Sequence, residues 1–350
     1  MPLIKKQKIP LLVDKMLKKF DVIGPVPKDE KYVFSKVSRG EEVFLGYDTS
    51  ILPPKKIFFP QEETLITFKK DEQLEFKPAL EDGTPSKTDG DRKFVIFGVH
   101  ACDIHAILTL DKQFMEVYPD PYYISKRARS LIIGVSCREP KETCFCGIMG
   151  TYTVEKGFDL FLEQIDEDEF YVIVGSDEGR KLLSAYPDFF EASTEETLEK
   201  LRKVLKEKDE KFADSVSITG LPTLLEQEFD SVNGEIWEEL GEKCLGCGTC
   251  CLVCPTCFCF NVVDKVELSG KEGLTKRVWD SCLLADFAVI AGGFNFRPTQ
   301  TSRIRYRIYH KLKYELERGG ILGCVGCGRC NIACPAGIKM QDVIKKIKGE

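Results

Sequence analysis

Two short, unbroken apolar runs stand out in the first half of the chain, Phe94–Val99 and Leu131–Val135. Runs of that length without polar alternation predict strands covered on both faces. Between them, Asp103–Met115 repeats its apolar positions at helical spacing, so the three segments predict a βαβ unit with parallel strands. Ahead of the unit, Leu11–Phe20 predicts a short helix. Val22–Gly24, Tyr32–Val37 and Ile57–Phe59 predict short strands, punctuated by Pro25, Pro27, Pro53, Pro54 and Pro60. The polar stretch Asp71 to Arg92, with Gly83, Pro85 and Gly90, reads as a loop. Beyond the unit, Phe158–Leu162 and Phe170–Val174 flank an acidic turn and predict a hairpin, and Ser176–Phe189 a helix.

From about residue 195 the pattern turns helical and heavily charged. Thr197–Phe212 reads as a solvated helix and Leu221–Phe229 as a shorter one. Further on, Phe260–Glu267 and Leu274–Trp279 read as a hairpin around Gly270 and Gly273, and Arg303–Glu317 as a helix.

Cysteine changes this picture most. The chain has 16 cysteines in 350 residues, far above ordinary usage, and in a long chain they read as metal ligands rather than staples. Cys244, Cys247, Cys250 and Cys254-Pro255 form a C-x2-C-x2-C-x3-C-P run, and it recurs at Cys324, Cys327, Cys330 and Cys334-Pro335. This paired run marks a two-cluster [4Fe–4S] ferredoxin module, in which the fourth cysteine reaches across to the other cube. The expected ligands are therefore crossed: Cys244, Cys247, Cys250 and Cys334 for one cluster, and Cys324, Cys327, Cys330 and Cys254 for the other. Structural zinc uses four ligands with a long spacer between pairs; here each run supplies four cysteines in eleven residues. The runs start 80 positions apart, a much longer gap than in small ferredoxins.

A second set lies in the α/β half. Cys102 follows the first apolar strand, Cys137 the second, and Cys144-Phe145-Cys146 sits just beyond. Parallel neighbouring strands place ligands at their carboxyl ends, where four thiolates suffice for a third [4Fe–4S] cluster; the plainer reading is reduced packing cysteines. Cys257, Cys259 and Cys282 remain unassigned, as a further metal site or as neighbours that tune a cluster. Cys251, beside the ligand Cys250, reads as a bystander. His100 and His105 read as packing or hydrogen-bonding residues rather than general bases. Arg303, Arg305, Arg307, Lys311 and Lys313 form a basic stripe, either a solvated helix face or a set of cations raising the potential of anionic clusters.

The resulting division is a mixed α/β domain over 1–192, a helical connector over 193–243, and a mostly helical ferredoxin-type dicluster domain over 244–350 with an inserted hairpin and helix. Charged residues make up 30% and the net charge is −6, which speaks against nucleic acid and anionic membrane surfaces. No apolar stretch approaches the roughly 20 residues that span a bilayer. No apolar signal follows Met1-Pro2-Leu3-Ile4-Lys5-Lys6, so a reducing, cytoplasmic setting is expected. There is no G-x-G-x-x-G after a strand and no P-loop. The chain reads as an electron conductor without a catalytic residue or substrate site of its own.

Those motifs resemble a known family. Phe97–Ile104, Cys144-Phe145-Cys146, Cys254–Cys259, Trp279–Cys282, Ala291–Pro298 and Cys324–Cys330 are similar, in order, to the beta subunit of sulfhydrogenases (sulfur-reductase-type nickel–iron hydrogenases) and to the corresponding iron–sulfur subunit of anaerobic sulfite reductase. The family's glycine-glycine-histidine stands here as Gly292-Gly293-Phe294, so no role for that histidine carries over. The resemblance implies a protein that relays electrons within a complex. Its partners would be a flavin subunit that handles NAD(P)H and a catalytic subunit of hydrogenase or sulfite-reductase type. The alternative is a redox-sensing cluster protein without turnover.

Overall fold

The computed structural model describes residues 2–349 except 72, 82–83, 86–91, 215 and 231–233. The chain opens with β1 (Pro2–Lys5), α1 (Ile9–Met16), β2 (Asp21–Lys28) and β3 (Lys31–Lys36). A hairpin of β4 (Glu62–Lys70) and β5 (Leu74–Pro78) and the short pair β6 (Leu80–Glu81) and β7 (Thr84–Pro85) follow. Then come β8 (Phe94–Val99), α2 (Ala101–Asp111), α3 (Pro121–Ala128), β9 (Ser130–Val135), α4 (Cys146–Met149), β10 (Leu160–Gln164), β11 (Glu169–Val174), α5 (Asp177–Ala185) and β12 (Glu191–Ala192).

An eight-stranded mixed sheet runs in the order β12-β1-β11-β10-β9-β8-β2-β3. Its centre is parallel: β8 pairs with β9 and with β2, and β9 with β10. β9 is buried at all six positions and β8 at five of six, as their unbroken apolar sequences require. Phe97, Ile133 and Leu162 of these strands pack with Val13 and Met16 of α1 in one core. β10 and β11 form the expected antiparallel hairpin.

Two expectations need correction. Ile57–Phe59 is not a strand: Pro54–Ile57 forms a single 3-10 turn, begun by Pro54 at its first position, where a missing N–H costs nothing. Phe58 and Phe59 are nonetheless fully buried in the core. The stretch Asp71 to Arg92 is not all loop, because Leu74–Pro78 pairs with β4; residues 72, 82–83 and 86–91 of it lie outside the described residues.

The C-terminal half begins with α6 (Glu195–Phe212), α7 (Leu221–Asp230) and α8 (Glu235–Lys243). Thr194 caps α6 through a reciprocal box with Thr197. Lys208 of α6 meets Glu163 of β10 at 3.3 Å with both side chains buried, which fastens this helix to the sheet. α9 (Thr249–Leu252), the hairpin β13 (Phe260–Val266) and β14 (Glu272–Trp279), α10 (Gln300–Tyr309), α11 (Glu315–Gly319), α12 (Arg329–Ala333) and α13 (Met340–Lys348) complete the chain. The expected helix Arg303–Glu317 spans α10 and α11, joined by a π-helical turn at His310–Tyr314.

The hairpin does not stand alone. β14 pairs with β4, so a four-stranded sheet β13-β14-β4-β5 stitches residues 62–78 to residues 260–279. Arg277 seals this seam: it is buried, pairs with Glu63 and Asp120, and lies 4.8 Å over the Phe59 ring. A second core, with Trp237, Ile304, Ile308, Tyr309 and Ile344, surrounds the cysteine runs. Among the described residues no helix is long and apolar enough to cross a membrane.

Candidate metal centres

The two runs fold alike. Each starts at its first cysteine, Cys244 or Cys324, and turns back through paired glycines with positive φ: Gly246 and Gly248 in one, Gly326 and Gly328 in the other. Such a loop needs left-handed backbone twice within three residues, which glycine supplies at no steric cost. A short helix then carries the third cysteine, Cys250 on α9 or Cys330 on α12. The loop turns backbone N–H groups toward sulfur: Gly246 N–H lies 3.4 Å from Cys244 Sγ, and Ile338 N–H 3.4 Å from Cys334 Sγ.

The eight thiols gather crosswise. Cys244, Cys247, Cys250 and Cys334 line one cavity. Cys254, Cys324, Cys327 and Cys330 line a second. Cys330, Arg307 and Met340 border both. Among the described residues no three His, Cys, Asp or Glu side chains close on a single ion; the sulfurs stand around cages instead. That geometry fits four-iron cubes, whose ligands surround a body rather than a point. Cys247 is exposed, so the first cavity meets the surface, and the four cysteines of the second are partly buried. In the second cavity burial pushes the thiols of Cys324 and Cys327 up to about 12 and about 11, and the neighbouring Cys257 with burial pushes Cys254 up to about 12. Metal bound there must displace protons that the site otherwise keeps.

Buried cations accompany these thiols. Lys311 is 2% exposed, donates to Thr256 Oγ1 at 2.9 Å and, among the described residues, forms no ion pair with a carboxylate. Burial pulls its ammonium down, yet the sulfurs of Cys254 and Cys257 hold it above its ordinary value. Arg307 donates to Cys250 O at 3.1 Å, and Lys55 to Cys257 O at 2.7 Å while lying 4.2 Å over the Trp279 ring. Most of the basic stripe is therefore no solvated face: Arg303, Arg307, Lys311 and Lys313 are buried, and Arg305 is half-buried. Positive charge beside thiolates is the arrangement that raises a cluster's potential.

The second cysteine set comes together against the second run. Cys102 sits in the first turn of α2 and Cys137 just after β9, both at the carboxyl edge of the parallel strands. Gly98, with φ +77, interrupts the β8 register between Phe97 and Val99 and turns the chain toward Cys102. The loop bearing Cys144 and Cys146 packs on Val325–Asn331. Phe145 N–H donates to Gly326 O at 2.9 Å, Thr151 Oγ1 to Val325 O at 2.6 Å, and Asn331 Nδ2 to Thr143 O at 2.8 Å. Burial, then Cys144 and Cys137, pushes Cys146 up to about 12. Cys102 is raised by burial, with Asp103, Cys327 and Cys146 adding to it. Arg329 and Asp103 form a doubly hydrogen-bonded buried pair at 2.7 Å that locks α2 to the second run.

The remaining cysteines are neighbours too. Cys251 Sγ lies 3.7 Å from Cys282 Sγ, both buried, so Cys251 is not isolated. Cys282 contacts Cys259 as well, and Cys257 contacts Cys251 and Cys254. His100 is buried and stacked on Tyr47 at 4.1 Å, with burial holding it neutral, down to about 4. His105 Nε2 meets Thr153 O at 2.8 Å. Sequence reasoning missed Asp103, Arg329 and Lys55. Arg329 carried a signal, being the one cation inside either C-x2-C-x2-C run.

Residues 243–338 match the 4Fe-4S dicluster domain. Over 327 residues the chain is 39% identical to sulfhydrogenase 2 subunit beta of Pyrococcus furiosus, covering 93% of this chain and 92% of that protein. The chain belongs to the sulfhydrogenase beta-subunit family. Among solved structures it is similar to a chain of the xenon-derivatised F420-reducing [NiFe] hydrogenase complex from Methanosarcina barkeri. That likeness covers 67% of this chain and 94% of that one, at 14% identity and a TM-score of 0.36, too low to argue a common fold. By its dicluster domain this chain is an iron–sulfur protein, and that domain falls on both cysteine runs.

Proposed function

We propose that this chain is the iron–sulfur electron-transfer component of a cytoplasmic multi-subunit oxidoreductase. It would join a flavin-bearing, NAD(P)H-handling subunit to a hydrogenase- or sulfite/sulfur-reductase-type catalytic subunit, and it holds no catalytic residue itself. The single observation that carries this reading is the pair of adjoining cavities, both lined by cysteines drawn from both runs, with Cys330 on the wall they share. Cys244, Cys247, Cys250 and Cys334 hold one [4Fe–4S] cluster, and Cys324, Cys327, Cys330 and Cys254 the other. Cys102, Cys137, Cys144 and Cys146 hold a third, beside Cys327. The relative's name, a sulfhydrogenase, favours the hydrogenase branch.

When bound, such clusters supply one-electron carriers of low potential. The chain's own part is to hold them close and set their environment. Cys330 stands on the wall between the first two sites. Backbone N–H groups at Gly246 and Ile338 and the cations Arg307 and Lys311 offset negative charge at sulfur. Exposed Cys247 and Leu245 bring the first site to the surface, within reach of a partner. That all 16 cysteines are free fits a reducing cytoplasm.

Anaerobic isolation of the chain from its native source, followed by identification of co-purifying subunits, tests this. A flavoprotein and a nickel–iron large subunit are expected. A sirohaem subunit would move the chain to the sulfite-reductase branch. A chain that purifies alone, with a labile cluster and a conformational response to oxidation, would favour a sensor instead.

A further inference from the structure

A groove of ≈ 370 Å³ lies where the end of α2, the start of β13 and the α10–α11 helix meet. Its walls are aromatic: Phe258, Phe260, Phe287 and Tyr306 line it together with Cys259 and His310. One wall is a continuous stack. Arg297 lies 4.0 Å over the Tyr306 ring, and Tyr306 stacks on His310 with centroids 5.7 Å apart and planes 16° apart. Phe258 meets His310 edge-on at 5.7 Å.

His310 gives this wall its ring face. His310 is 8% exposed, and its Nδ1 has no hydrogen-bond partner among the described residues; Glu315 Oε1 stands 3.4 Å away without hydrogen-bonding geometry. Lys112, which pairs with Glu116, and Arg318 also line the groove and outnumber the one carboxylate in its lining, Glu315. Both flanking helices become π-helical beside it, at Lys112–Val117 and at His310–Tyr314, a widening common at functional sites. The groove also touches the sulfur network, because Cys259 neighbours Cys282, whose Sγ is 3.7 Å from Cys251.

We propose that this groove binds a planar heteroaromatic ligand with an anionic tail, of the flavin mononucleotide class. Its ring stacks among the aromatic side chains, and its phosphate faces Lys112 and Arg318. This site goes beyond the relay reading, which leaves the flavin to a separate subunit. The aromatic lining favours a broad ring that stacks over a small polar ligand, and the two cations favour a phosphorylated tail.

The test is an anaerobic titration of the full-length, cluster-loaded chain with FMN, read by flavin fluorescence, with iron content measured on the same sample. Saturable quenching in the micromolar range is expected. Phe260→Ala should weaken FMN and lumiflavin alike, by about tenfold. Lys112→Ala with Arg318→Ala should weaken FMN by about tenfold and leave uncharged lumiflavin unchanged. ADP should not compete. No saturable quenching while iron content is intact overturns this inference and leaves the cluster assignment standing. Binding that neither variant alters, or that ADP displaces, overturns it as well.

Discussion

Arg329 shows how much one side chain can organise. It leaves the second cysteine run, pairs twice with Asp103 on α2, and donates to Ser50 O and Ser50 Oγ at 3.0 Å, with 4% of its surface exposed. Removing one partner of a buried pair strands the other charge, at a cost of about 3–5 kcal/mol. Arg329→Met should therefore destabilise the cluster-loaded protein by about that amount in denaturant unfolding, and adding Asp103→Leu should recover much of it. A loss under about 1 kcal/mol would contradict the role given to this pair. Lys311 makes an electrostatic case. A unit charge at close range interacts with the second site by about 2 kcal/mol at an effective dielectric near 20, on the order of 100 mV for one electron. Lys311→Met should lower that cluster's potential by roughly this much, and Lys311→Arg should leave it nearly unchanged, by redox titration monitored with paramagnetic resonance. Sequence alone exposed the cysteines, because their spacing is local. It left the cations at Lys311 and Arg307 ambiguous, because burial of a charged helix face depends on what packs against it.

Among the elements, the central strands were legible and the seams were not. β8 and β9 announce themselves through unbroken apolar residues, and the cysteines after them fell where parallel strands put ligands. The hairpin β13–β14 was visible too, but its pairing to β4 was not, since its partner lies some two hundred residues earlier and pairing across that gap leaves no local pattern. The turn at Pro54–Ile57 imitated a strand because Phe58 and Phe59 are apolar for burial, not for alternation. The seam between the Cys144 loop and the second run makes its own prediction. A Cβ at Gly326 would stand 2.5 Å from Phe145 O, at φ +63. Gly326→Ala should therefore push the two loops apart and release iron, seen as a fall in iron per chain and in cluster absorbance. Full retention of iron would show that the contact does not shape the sites.

At the scale of the molecule, the chain is a ferredoxin module built into an α/β protein rather than appended to it. The shared sheet, the Arg329–Asp103 pair and the Cys137–Cys146 loop all cross between the halves. A fragment of residues 244–350 loses β4 beside β14 and the loop over Gly326, so its isolated form should hold less iron than the same region does in the full chain. Equal iron in fragment and full chain would argue for an independent module. The most direct test of the central claim is iron and zinc analysis of anaerobically purified full-length protein, with spectra before and after dithionite. Three clusters predict about twelve irons per chain, and the two ferredoxin-type clusters alone about eight, in each case with reducible, paramagnetic centres. Zinc in place of iron, or iron that dithionite cannot reduce, would contradict the account.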